Sequence, residues 1–146
     1  MSRQDYATPR EFVDAVQRRF GAITHDLCAD AANAVVASHY DEATDALAQD
    51  WRTLPAGVLW CNPPFRDIEP WAFLARCCAG NGRVIALLTP ASIGTAWFAE
   101  HVHRHALVLG LSPRLTFCGW VAPYPKDLML SVYGVAPGFD CWRWDA

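Results

Sequence analysis

The chain predicts an open α/β sheet with flanking helices, its binding site at the C-terminal ends of the strands. Short apolar runs, above all Gly57–Cys61 and Arg83–Leu88, alternate with segments of helical periodicity. Each run leaves the sheet through prolines or small residues: Cys28-Ala29 after the first strand, Pro63-Pro64 after the next and Thr89-Pro90-Ala91-Ser92 after a third. With 146 residues, of which 53% are hydrophobic, the chain is long enough for one well-buried core, so residues 1–146 are read as a single domain.

The first helix is expected to start at Thr8-Pro9, with Thr8 as N-cap, Pro9 at the first helical position and Glu11 in the first turn. Phe12, Val13, Val16 and Phe20 recur at helical spacing, and Gly21 ends the segment. Ala22 to Ala31 reads as a strand running into small residues that let a ligand approach the backbone, and Asp26 there suits an ammonium or a ribose. From Asn33 to Trp51 the chain is polar and reads as a loop. Any of its acids, Asp41, Glu42, Asp45 or Asp50, suits the hydroxyls of a ribose. A helix comes next over Ile68 to Ala79, then a strand over 83–88, a short helix near Ala96 to His103 and a strand over Ala106 to Leu111. Leu115–Cys118 and Leu128–Tyr133 complete the sheet, and the last ten residues pack back as a terminal segment.

The formal net charge of −3 argues mildly against a general nucleic-acid binder, although the cations are eleven Arg and a single Lys, and Arg suits phosphate. No run of about 18 apolar residues is available to span a bilayer, and the first residues do not resemble a secretory leader. Six cysteines without C-x-x-C spacing read as reduced and mostly buried in a cytoplasmic protein, with zinc or disulfides as the alternative. His101, His103 and His105 alternate, but no carboxylate or thiol at matching spacing helps to complete a metal site, so an exposed helix end and no metal are expected.

The densest chemistry lies in Asn62-Pro63-Pro64-Phe65, directly after the strand Gly57–Cys61. Neither proline carries a backbone N–H, so the ladder must stop there. Asn62 is left at the strand end beside a rigid carbonyl and an aromatic ring. That set can grip a planar group bearing an exocyclic amine: the Asn62 oxygen and the Pro63 carbonyl accept its two hydrogens while Phe65 stacks on the ring.

This motif resembles the catalytic motif of amino-methyltransferases. Tyr6-Ala7-Thr8-Pro9, Asp26-Leu27-Cys28-Ala29, Asn33-Ala34, Asp45-Ala46-Leu47, Gln49-Asp50-Trp51, Trp60 through Phe65 and Arg114–Phe117 keep the order and spacing of phage-type DNA adenine-N6 methyltransferases. The resemblance implies a Rossmann-like class I methyltransferase sheet, mostly parallel with one antiparallel strand near the C-terminus. It implies S-adenosylmethionine as cofactor, with Tyr6 and Thr8 near its methionine part and Asp26, Cys28 and Ala29 along its amino-acid and ribose portion. Asp45 is assigned to the ribose, and Asp50 to the cofactor's adenine or the target base. Asn62, Pro63, Pro64 and Phe65 become the catalytic set, and Phe65, Arg66, Phe117 and Lys126 the contacts to double-stranded DNA and its flipped adenine. The expected setting is the cytoplasm of a bacterium, with a phage or its host as source. Leu27-Cys28-Ala29 departs from the glycine-rich turn of the wider superfamily, and Phe65 stands where many relatives carry Tyr. The missing target-recognition domain implies a short or degenerate target. Methylation of cytosine N4, RNA adenine or protein glutamine, and a non-catalytic binding module, are the other readings.

Overall fold

The computed structural model describes residues 6–146. Two helical layers enclose one six-stranded sheet. In chain order the elements are α1 (Arg10–Phe20), β1 (Ile23–Asp26), β2 (Gly57–Cys61), α2 (Glu69–Cys78), β3 (Arg83–Pro90), α3 (Ala96–His101), β4 (Ala106–Ser112), β5 (Leu128–Tyr133) and β6 (Gly138–Arg143). The sheet order is β1-β2-β3-β5-β4-β6. β1, β2 and β3 are parallel, β5 is antiparallel to both β3 and β4, and β6 is parallel to β4. The exits of β1, β2 and β3 therefore share one edge, which brings the residues after Asp26 and Cys61 together.

Side-chain alternation along the strands supplies both faces. Val58 and Trp60 of β2, with Ala86 and Leu88 of β3, pack with Phe12, Val13 and Val16 of α1. Leu59, Cys61, Ile85 and Leu87 face the other way, onto Trp71, Ala72 and Ala75 of α2 and Phe98 of α3. β2 starts on Gly57 at a φ of 128°, where an added Cβ would fall 2.5 Å from a Thr24 methyl, so only glycine enters the sheet there.

Several boundaries differ from the sequence reading. α1 begins at Arg10 with Pro9 as N-cap and no side-chain cap, because the Thr8 hydroxyl faces Asn62 instead. β1 is only four residues long. Leu115–Cys118 is no strand: it leaves the sheet after Pro113, buries Leu115 and Phe117, and bonds through Cys118 N–H to the Ala7 carbonyl. The C-terminal segment is a true strand, β6, which pairs along β4. Trp142 and Trp144 of this segment pack onto Phe12. Of the cysteines, all six are free thiols, but Cys77, Cys118 and Cys141 are exposed rather than buried. His101 is buried against Arg76 while His103 and His105 are exposed, so the alternate histidines do not share a face. Among the described residues no group of three metal-ligating side chains converges, and no helix is long and apolar enough to cross a membrane.

The long segment between β1 and β2 has only two short 3-10 turns, Ala46–Ala48 and Trp51–Thr53, and is pinned by Trp51. That ring is fully buried, 6.1 Å from Trp71, and its Nε1–H donates to the Ala46 carbonyl at 2.9 Å. Trp51→Ala is expected to cost about 3–5 kcal/mol through the cavity it leaves. Trp51→Phe retains most of the burial and should cost clearly less, losing chiefly the hydrogen bond, worth about 1 kcal/mol. Urea unfolding of the two variants separates these; equal losses would mean that the ring volume does not anchor the loop.

Candidate active site

β2 has a parallel neighbour on each side, with Trp60 opposite Asp26 of β1 and Cys61 opposite Leu87 of β3. It stops at Cys61 because Pro63 and Pro64 offer no N–H to continue the ladder. Asn62 sits just past this stop. Its Nδ2 donates to the Tyr6 carbonyl at 2.6 Å and lies 3.3 Å from Thr8 Oγ1. Its Oδ1 is buried and has no hydrogen-bond partner among the described residues.

The extended segment from Tyr6 to Pro9 is thus tied to Asn62 on one side. On the other it is held by the Cys118 N–H, which donates to the Ala7 carbonyl at 3.0 Å. Tyr6 forms the hub of an aromatic cluster. Its ring centre is 5.2 Å from Phe65, 5.1 Å from Phe117, 5.2 Å from Trp120 and 5.6 Å from Tyr124. Phe65 is half-buried and also meets Tyr124 at 5.7 Å. Phe117 is 1% exposed and stacks on Tyr6, so an incoming ring would reach it only after Tyr6.

At the exit of β1, Asp26 is 2% exposed, and its two oxygens accept from the N–H groups of Cys28 (3.1 Å) and Val35 (3.0 Å). The strand-like pairing of residues 38–40 covers its flank: Asp26 N–H donates to the Ser38 carbonyl, and its own carbonyl accepts from Tyr40. Burial outweighs the two amide bonds and nearby His39, and pushes the Asp26 carboxyl up to about 6. Burial, with the Asp26 charge, also pushes the Cys28 thiol up to about 12, and burial pushes Cys61 well upward. Neither thiol is a nucleophile at neutral pH.

Asp26, Cys28, Ala29 and Asp30 line a cavity of about 100 Å³ together with Tyr6, Thr8, Asn33, Glu42, Trp60, Asn62 and Pro64. A second cavity, of about 450 Å³, adjoins it through the shared residues Cys28, Glu42 and Pro64, and continues past Tyr40, Asp45, Arg66 and Trp71. Most of the expected residues from β1, β2 and the N-terminal segment therefore meet. The acids from the long loop distribute differently. Glu42 lines both cavities and Asp45 only the larger one, whereas Asp50 lines neither and instead caps its own turn and pairs with Arg52 at 2.9 Å. Glu42 was one of four equivalent acids in the sequence, and only the pairing of residues 38–40 beside β1 sets it apart. Arg66 lines the larger cavity, and Lys126 is exposed on the loop that carries Tyr124. The turn after β3 contributes to neither cavity: Thr89 is buried and its hydroxyl donates to the Pro90 carbonyl.

Acidic side chains and the buried Asn62 Oδ1 thus share two adjoining cavities at the ends of the parallel strands. The chain belongs to the DNA N-6-adenine-methyltransferase (Dam) family, whose profile matches residues 1–123 and so contains every cavity residue named above. It is 28% identical over 114 residues to the DNA N-6-adenine-methyltransferase of Escherichia phage T1, an alignment covering 78% of this chain and 47% of that protein. The chain thus aligns with about half the length of that relative.

A carboxyl raised in the fold stabilises the protein while it is protonated, below about pH 4, and that contribution is lost as pH rises through about 6. Relative to Asp26→Asn, which cannot titrate, the parent should lose about 3 kcal/mol of unfolding free energy between about pH 4 and about pH 7. Urea unfolding across this window checks it. A difference independent of pH would contradict a raised Asp26.

Proposed function

We propose that this chain is an S-adenosylmethionine-dependent methyltransferase domain of Rossmann-like class I type, acting on the N6 amine of adenine in DNA. The observation that carries the reading is the buried Oδ1 of Asn62 at the strand end, without a partner among the described residues and beside an acid-lined cavity. The name of the family and that of the phage relative agree with it.

The residues present fit the cofactor. Asp26 and Asp30 suit the ammonium of its methionine part, Thr8 and Asn33 its carboxylate, Glu42 the ribose diol, and the larger cavity its adenine. When bound, S-adenosylmethionine supplies an electrophilic methyl group on sulfonium sulfur. The chain's own task is to prepare the acceptor. An adenine amine is a poor nucleophile because its lone pair is delocalised into the ring. Asn62 Oδ1 and the Pro63 carbonyl, accepting along its two N–H bonds, favour pyramidalisation and localise that pair. No side-chain nucleophile is required, which agrees with thiols held protonated at Cys28 and Cys61. Phe65 stacks on the base once it has left the duplex, as enzymes that modify base atoms require. With Arg66 turned to the larger cavity, Arg114 and Lys126 on the loop over 114–126 are the remaining cations for phosphate contacts near Tyr124. The reaction belongs where bacterial DNA is found, in the cytoplasm.

Asn62→Ala is expected to lower methyl transfer by a factor of about 100 to 1,000 while cofactor affinity stays within a few-fold. Asp26→Ala should do the reverse, weakening cofactor binding. Calorimetry with S-adenosylmethionine and mass spectrometry of nucleosides from treated DNA test the pair. N6-methyladenine made by the parent and lost in Asn62→Ala supports the reading. N4-methylcytosine alone, or methyl groups only on protein, overturns the substrate.

A further inference from the structure

A side-chain amide has two ends of nearly the same shape but opposite hydrogen-bonding character. At Asn62 the surroundings decide between them. The Tyr6 carbonyl is an acceptor only, so the atom 2.6 Å from it must be the NH2 nitrogen. The second N–H of that group is directed to Thr8 Oγ1 at 3.3 Å. Both donors are spent, and Oδ1 is left buried without a partner among the described residues. Turning the amide over would lose the bond to Tyr6 and press an oxygen against its carbonyl, whereas the Thr8 hydroxyl, able to donate as well as accept, holds the amide in place without choosing its end.

We propose that the Tyr6 carbonyl and the Thr8 hydroxyl form a lock in which Tyr6 fixes Asn62 as a hydrogen-bond acceptor and Thr8 holds the amide in place, making Thr8 a positioning residue and the site selective for amine donors over carbonyl groups. This rests on the reading that Asn62 receives the target amine. The lock explains why Thr8, placed where a helix cap is expected, leaves α1 without a side-chain cap. It also sets specificity. A ring that presents an amine to Oδ1 gains a bond, whereas one that presents an oxygen, as hypoxanthine does in place of adenine, meets acceptor with acceptor. A site built around one buried polar contact rejects the analogue lacking it by several orders of magnitude.

The lock has a signature that a packing role for Thr8 would lack. In Asn62→Asp, the oxygen facing Tyr6 must carry a proton to donate to that carbonyl. The protonated acid then reproduces the parent geometry, with its C=O toward the ligand, and the ionised form cannot. Asp26, Cys28, Asp30, Glu42 and Tyr6 line the same cavity, and any of these that is ionised adds negative charge, further favouring the protonated acid. At saturating cofactor, transfer by Asn62→Asp should therefore fall as pH rises, by tenfold per unit above its raised pKa, while the parent does not share that decline.

The experiment combines this profile with proton exchange of the Asn62 side-chain NH2, monitored by NMR on Asn-labelled protein and identified by its loss in Asn62→Asp. In the parent the NH2 protons should be protected. Thr8→Val should speed their exchange by about tenfold, the worth of one hydrogen bond, and Thr8→Ser should restore protection. Unprotected protons in the parent, equal protection in Thr8→Val, or an Asn62→Asp rate that is flat or rises with pH would overturn the lock. A parent protein that transfers no methyl group to DNA sinks the proposed function instead, and the exchange measurements then decide the lock alone.

Discussion

Everything at the site depends on where strand β2 stops. Two successive residues without an N–H end its ladder at Cys61, although β2 has a partner on either side. The chain must then leave the sheet upward, away from both neighbours, and the rigid Pro63-Pro64 pair holds Asn62 at that exit. Because β1 and β3 run parallel to β2, the exit of β1 opens onto the same edge, and Asp26 stands opposite Trp60 in register. A reversed β1 would carry its acid to the far end of the sheet. Parallel pairing and the double proline together create a crevice that neither creates alone.

That crevice is costly. Asp26 is a carboxyl taken out of water with only backbone amides for partners, and Asn62 Oδ1 is a buried acceptor with no partner among the described residues. At neutral pH, folding by itself gains nothing from either group. Two apolar layers offset them: α1 with the C-terminal tryptophans on one face, α2 and α3 on the other. Both polar groups suit a ligand that supplies a positive charge to one and an N–H to the other. Polar atoms left unsatisfied at one end of a well-packed sheet are where function is expected to depart from foldability.

Strands buried on both faces were the most legible part of the fold. β2 and β5 have the boundaries their apolar runs predict, because a strand buried on both faces is apolar nearly throughout, Ser131 being the exception, and Gly, Pro or polar residues mark its ends. β6 was not legible, since its exposed Phe139, Asp140 and Cys141 carry no buried-strand pattern, and it is recruited by the free edge of β4. Leu115–Cys118 misleads for the opposite reason. Its alternating burial serves the aromatic cluster beneath a loop rather than a ladder. At the candidate site, the meeting of Asn62, Asp26 and Thr8 at one cavity was readable from strand ends and motif order. The place of Glu42 at the cavity was not, because four acids in one loop are equivalent until residues 38–40 pair beside β1 and aim the next stretch of chain at it.

The aromatic cluster raises a question of access that the same geometry answers. Tyr6 stands between Phe65 and Phe117, so a planar ligand stacking on that side of Phe65 must take the place of the tyrosine ring. Tyr6 also supplies the carbonyl that holds Asn62, and a backbone shift large enough to clear the ring would release the amide. A rotation about χ1 separates the two. It swings the ring away from Phe65 while the peptide, tied at Ala7 to Cys118, remains where it is. Tyr6 meets four rings at contacts worth about 1 kcal/mol each, so the rotation is favourable only when an incoming planar ligand replaces several of them. The acceptor can therefore stay fixed while the pocket beside it changes shape.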